Sequence, residues 1–502
     1  MRVEQDGADL ATADAAGALP LTRGQFLKAA AGAAGLLAFA PGAYAAAPPP
    51  QGAVSAQGPF RSRPDLRPPK LSMTGAPTRG EGPFFVSPAA TAASQAGPMI
   101  VDTRGEPLWF SPVAARGWAA NLRVQHYRGK PVLTWWEGSV APPGYGQGEG
   151  VIMDSSYREI ARVRAGNGRQ VDLHDFTLTP QGTALITCFP ATVQADLTAV
   201  GGARNGKVSQ SIIQEVDVAS GRVLLEWRSL EHVAMSESYL SPHAGVWDYM
   251  HANSVTVTPD GHLLVSARHT FALYKLDRRT GRVMWRLGGK RSDFALGRGA
   301  RFTWQHDARL WPGGKLTVFD DGAGWSTSEP QSRGLVLHVD ASRRTVKLAH
   351  AYVRRHRTLT SAMGSTQALP DGHVIVGFGL IPVISEFAAS GRVIAELHLP
   401  WGSNSYRGYR FAWHGTPAAA PDLAASVGSG TTTLHASWNG ATGVSRWQVS
   451  LGPSPAALAA ATTVPRSGFE TAIRVPATTG YAAVTALSAS GQPLASSAPV
   501  ML

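Results

Sequence analysis

The chain has 502 residues, of which 44% are apolar and 16% charged, with 55 glycines, 35 prolines and 14 tryptophans. That composition excludes both a small stapled scaffold and a disordered chain, and describes a turn-rich globular protein long enough for two to four domains. The formal charge of +12 comes from basic residues scattered singly, which argues against nucleic-acid binding, and the one cysteine, Cys188, excludes an intrachain disulfide or a cysteine metal cluster.

Residues 1–47 are expected to act as an export signal. The stretch LTRGQFLKAAAGAAGLLAFAPGAYAAA starts with Arg23 and Lys28, continues into a small-residue apolar core and ends on Ala43-Tyr44-Ala45, a cleavage pattern. The core is about a dozen residues long, short of the ~20 that span a bilayer, and no later segment is longer, so a secreted or cell-envelope protein without a membrane span is expected. Thr22-Arg23-Gly24-Gln25-Phe26-Leu27-Lys28 resembles a twin-arginine motif with its second arginine replaced by Gly24. Residues 48–79, rich in Pro, Gly and Ser, are expected to be a flexible leader.

From about residue 80 the sequence repeats. Turn-plus-strand runs occur as TPQGTALIT at 179–187, TPDGHLLVSAR at 258–268, LWPGGKLTVFDDG at 310–322 and LPDGHVIVGFG at 369–379. A second type of hairpin, such as DVASGRVLLEW at 217–227 and DRRTGRVMWRL at 277–287, recurs six times at about 47–63 residues. Asp-Gly, Ser-Gly and Thr-Gly pairs supply the positive φ of tight turns, and alternating β-branched residues follow them. The period is that of propeller blades, so an all-β six-bladed β-propeller is expected over 80–419. Beyond an Ala/Pro linker, residues 421–502 lose charge and gain Ala, Ser and Thr. TLHASWNGATGVSRWQVSLG there resembles a fibronectin type III-like β-sandwich, with Trp438 and Trp447 as core and Tyr481 in a late strand. As a spacer or adhesive module it would give cell-wall or glycan contact.

Three histidines occupy one slot of the repeat: His174 before Gly182, His251 before Gly261 and His306 before Gly314. The first strand of each blade lines the central channel, so residues at its start converge at one mouth. Each histidine has a polar neighbour, Asp175, Asn253 or Asp307, and Arg268 ends the hairpin that begins at His251. His232, His243, His262, His338, His350, His356, His373 and His398 read instead as core or surface residues. A neutral imidazole offers a lone pair near neutral pH, and Arg268 and Asn253 are the donors an oxyanion requires. Trp247, Tyr249, Trp304 and Trp325 lie close in sequence and read as flat walls for an aromatic ligand or as blade core.

The segments LHDFTLTPQGTALIT, YMHANSVTVTPDGHLLVSARHT and FTWQHDARLWPGGKLTVFDDGAG, with RGKPVLTWWEG upstream, resemble the secreted bacterial arylsulfotransferases that do not use phosphoadenosine phosphosulfate. The resemblance implies a six-bladed propeller that passes a sulfuryl group from an aryl sulfate donor to a phenolic acceptor through a sulfohistidine, with no cofactor or metal. By position His306 would be the nucleophile, and His174, His251, Asn253 and Arg268 would hold the sulfate; Trp247, Tyr249 and Trp304, read from their closeness in sequence to the histidines, would line an aryl substrate. A disulfide near the site in the better-studied branch has no counterpart in this one-cysteine chain.

Two other readings are open at this stage. Three histidines with a water form a catalytic zinc arrangement, which would make a hydrolase, though Arg268 disfavours a cation. A non-catalytic extracellular propeller binding anionic glycans or peptides is the second.

Overall fold

The computed structural model describes residues 60–502 apart from 325, 429 and 477–479, so the expected export signal and the first part of the leader lie outside the described residues. The described chain is all-β and propeller-like, with short 3₁₀ turns as its helical content. The repeated hairpins form because their glycines take the left-handed backbone: Gly182, Gly261, Gly281 and Gly372 all have φ between +72° and +88°.

Antiparallel four-stranded units succeed one another, for instance Ala252–Val257, Leu263–Ala267, Ala272–Leu276 and Val283–Gly288. Six strands begin such units and bear on the site: β1 (Trp118–Tyr127), β2 (Val171–Leu178), β3 (Ala252–Val257), β4 (His306–Leu310), β5 (Ser365–Ala368) and β6 (Ser405–Arg410). Each lies against the next, and β6 lies against β1, so the six surround a common axis. β6 pairs with Phe84–Pro88, joining the end of the repeat region to its beginning in one sheet.

The leader differs from expectation where it is described. Phe60, Leu66 and Leu71 are buried with Phe84, Phe110, Leu397 and Phe469, and Ser72–Gly75 pairs with Val393–His398 as an added edge strand. Pro64, Pro68 and Pro69 favour an extended backbone, and the three apolar side chains anchor it.

Residues after 421 form two antiparallel sheets, one built from Asp422–Val427, Thr431–Ser437 and Glu470–Pro476, the other around Arg446–Gly452 and Tyr481–Leu487. Trp438, Trp447, Leu434, Val449, Ile473 and Val484 share their core. The Ala/Pro linker is bonded rather than free: Thr416 and Ala418 donate backbone N–H groups to the Ser155 and Ser156 carbonyls.

Candidate active site

The starts of β2, β3 and β4 carry the three histidines, and each strand has a pairing irregularity there: near Val171–Phe176, between Ala252 and Ser254, and between His306 and Arg309. A bulge at a strand's end re-aims a side chain. The backbone is strained at the same place, with φ of +54° at His251, +58° at Trp304 and +53° at Asp307, a region that side-chain-bearing residues seldom adopt. All three histidines are buried.

His174 and His251 meet directly, with their Nε2 atoms 3.1 Å apart. His174 Nδ1 makes a short contact to Asp172, a carboxylate that also accepts from Gly146 N–H (2.6 Å) and the Thr187 hydroxyl (3.2 Å). His251 Nδ1 lies 2.6 Å from Asp248, whose same oxygen takes the Tyr145 hydroxyl at 2.7 Å. Two bare lone pairs cannot face each other at 3.1 Å, so one of the two Nε2 atoms carries a hydrogen directed at the other. Burial, opposed by Asp248 but aided by His174 and Arg268, lowers the His251 pKa.

His306 Nδ1 lies 2.7 Å from Asp321, and its Nε2 faces the backbone N–H of Met363 at 3.3 Å. Burial, with Arg268, His174 and His251, pushes its pKa well below the ordinary histidine value, so the ring is neutral with its lone pair on Nε2. Burial raises the Asp321 carboxyl well above its usual range, against the pull of Arg268. The Tyr406 ring on β6 stands edge-on to His174 (5.7 Å) and His306 (6.3 Å), closing the space between them.

The hairpin brings Arg268 back as expected: its backbone N–H donates to the His251 carbonyl at 2.9 Å. Its guanidinium lies 4.8 Å over the Trp304 ring, donates to His269 Nε2 (2.8 Å) and to the Ser361 carbonyl (2.6 Å). Asn253 also has a partner within the fold. Its amide nitrogen donates to the Gln305 carbonyl at 2.7 Å and so steadies the backbone entering His306. Asp175 and Asp307 point away from the histidines into an ion cluster with Arg123, Arg309 and Arg407.

Of the expected aromatic walls, Trp304 stands at the site. Trp247 and Tyr249 do not: both are buried in an apolar core with Val208, Val255 and Leu263, and the Tyr249 hydroxyl donates to the Val233 carbonyl. Trp325 lies outside the described residues. Sequence reasoning missed Asp172, Asp248 and Asp321, which lie two or three residues before a histidine or at the far end of its hairpin, and it missed His269, Tyr145 and Tyr406.

Several buried polar atoms here lack a hydrogen-bond partner among the described residues: Arg268 Nε, Asn253 Oδ1, Asp321 Oδ1, Trp304 Nε1 and the Tyr406 hydroxyl. Such a concentration of unsatisfied groups marks a polar site prepared for a ligand. Asp248, His251 and His269 bring ligand-type atoms within 4.8 Å of one another, but they do not suit a cation. His269 Nε2 accepts from Arg268, so its ring proton sits on Nδ1 and donates to the Asp248 carbonyl (2.6 Å), while His251 Nδ1 donates to the Asp248 carboxylate.

Residues 123–399 match the family model described as Arylsulfotransferase (ASST). The chain belongs to the arylsulfotransferase family. No curated protein sequence matches it. Among solved structures, it is similar to a protein of unknown function from Bacteroides caccae (11% identity, 66% of this chain and 99% of that one, TM-score 0.40) and to the periplasmic gluconolactonase PpgL of Pseudomonas aeruginosa (13%, 78% and 99%, 0.35). A streptogramin B lyase is similar at 10% identity over 72% of this chain and 93% of its own, with a TM-score of 0.34. The family match spans β2 to β5, and so takes in all three histidines and Arg268 of this arylsulfotransferase-family chain, while Tyr406 falls beyond it.

Proposed function

We propose that the protein transfers a sulfuryl group from an aryl sulfate ester to a phenolic acceptor through a sulfohistidine at His306. The observation that carries this reading is the state of that ring: Nδ1 is committed to Asp321, and the lone pair is on Nε2, within the influence of the Arg268 charge. Nε2 attacks the ester sulfur as the sulfur–oxygen bond to the aryl group breaks, and the departing phenolate takes the proton held between the facing Nε2 atoms of His174 and His251. An incoming phenol returns a proton to that pair and attacks the sulfohistidine, restoring neutral His306. Arg268 bears on the sulfuryl oxygens throughout, an electrostatic role that needs fixed donors in a dry site.

The test is to mix the purified protein with 4-nitrophenyl sulfate, with and without phenol. Nitrophenol release should depend on phenol, with ping-pong kinetics. Protein quenched with donor alone should carry one sulfuryl group on the peptide containing His306. A His306→Ala variant with near-normal transfer, or a sulfated residue elsewhere, would overturn the assignment.

The leader before residue 48 supports export to the cell envelope or beyond, and N-terminal sequencing of the mature protein tests it. The sheets after residue 421 fit a spacer or a glycan-contacting module. They make no contribution to the chemistry proposed.

A further inference from the structure

His269 stands beside the proposed chemistry without a part in it. It is buried, its ring 4.8 Å from that of His251 and edge-on to Trp304 at 5.8 Å. Its proton can be located by elimination. Nδ1 lies 2.6 Å from the Asp248 backbone carbonyl, an atom that only accepts, so Nδ1 carries hydrogen. Nε2 lies 2.8 Å from Arg268 Nη1, a group that only donates, so Nε2 is bare. A doubly protonated ring would set an N–H against a guanidinium. In keeping with this, burial, against the pull of Asp248 and aided by His251 and Arg268, lowers the His269 pKa to about 3.

Arg268 therefore rests on three supports: His269 Nε2 at one terminal nitrogen, the Ser361 carbonyl at the other, and the Trp304 face beneath. Two of its five N–H groups are used, and Nε–H is buried with no acceptor among the described residues. A guanidinium held in one plane keeps its spare donors fixed, whereas a freely turning one must be ordered during the reaction.

We infer that His269 is a positioning residue whose bare Nε2 fixes the plane of Arg268, keeping the unused guanidinium donors available to the sulfuryl group. This rests on the function proposed above. Its first test does not. In two-bond ¹H–¹⁵N spectra of histidine-labelled protein near neutral pH, assigned by loss of signal in His269→Phe, Nε2 should show the shift of an unprotonated nitrogen and Nδ1 that of a protonated one. A proton on Nε2 would overturn the inference whether or not the protein transfers sulfuryl groups.

The second test is kinetic. His269→Phe keeps an aromatic ring and removes the acceptor, and should lower kcat/KM for 4-nitrophenyl sulfate by roughly tenfold to a hundredfold, as losing an outer partner of a reacting group commonly does. His269→Gln, which keeps an acceptor, should recover part of the loss. In an Arg268→Ala background, His269→Phe should cost nothing more, because its effect passes through the missing guanidinium. Losses that multiply in the double variant, or a His269→Gln variant as impaired as His269→Phe at equal thermal stability, would sink the proposal. A wild-type protein that forms no sulfohistidine would remove the function reading and leave the spectra to decide His269.

Discussion

At the scale of single residues, burial fixes protonation. His251, His269 and His306 all have folded pKa values below the ordinary histidine value, burial being the largest cause for each. The unfolded chain then binds more protons than the folded one as pH falls below about 6.5, so stability is present above that value and lost as pH falls towards the folded pKa values. The thermal midpoint should drop between about pH 6.5 and about pH 3, and His269→Gln should flatten the drop; an unchanged slope in that variant would contradict the assignment. Activity should behave otherwise. The proposed nucleophile, His306, is already neutral, so formation of the proposed sulfohistidine should not fall off from His306 protonation on going from about pH 7 to about pH 6. Tyr406→Phe should leave the melting temperature almost unchanged, since its hydroxyl has no partner among the described residues to lose, and should raise KM if substrate takes that hydroxyl.

At the scale of elements, β6 carries more of the site than its length suggests. It pairs with Phe84–Pro88, brings the Tyr406 ring between two histidines and sends Arg407 to the axis, where the guanidinium donates to the His174 and Asn253 carbonyls at 3.0 and 3.1 Å. Gly408 lets this strand sit close: a Cβ there would fall 2.4 Å from Cγ1 of Ile384, with two further atoms of that branched side chain at 3.2–3.3 Å. Gly408→Val should therefore destabilise by about 1–3 kcal/mol through overpacking, read as a lower denaturant midpoint. The repeat was legible at this scale because turn glycines and alternating residues are local signals. The hold of β6 on the site was not, since Arg407 and Asp175 are 232 positions apart in sequence.

At the scale of the whole molecule, one carboxylate ties the inner strands together. Asp175 on β2 accepts from Arg123 on β1 (3.0 Å), the Val255 N–H on β3 (2.9 Å), Arg309 on β4 (3.0 Å) and Arg407 on β6 (3.1 Å). Burial alone would raise its pKa, yet Arg309, Arg407 and Arg123 together hold it below the ordinary carboxylate value. Removing the charge leaves buried guanidinium groups uncompensated, so Asp175→Asn should cost about 3–5 kcal/mol, measured by urea unfolding. Because the same cluster underlies β2, β3 and β4, that variant should also loosen the histidines and slow transfer in a folded sample.

The sequence by itself determined the all-β class, the hairpin turns, the shared slot of His174, His251 and His306, and the return of Arg268 beside His251. Each follows from backbone rules that act within one hairpin: glycine at positive φ, alternation along a strand and antiparallel return. Only the tertiary structure decided which way the side chains next to those histidines face. Strand bulges turn Asp175 and Asp307 to the axis, and core packing takes Trp247 and Tyr249 away from the site while leaving Trp304 on it. It also placed Tyr145, Tyr406 and the Met363 N–H against histidines lying more than 50 residues away in sequence. Such contacts depend on how separate sheets pack around one axis, and no local propensity records that.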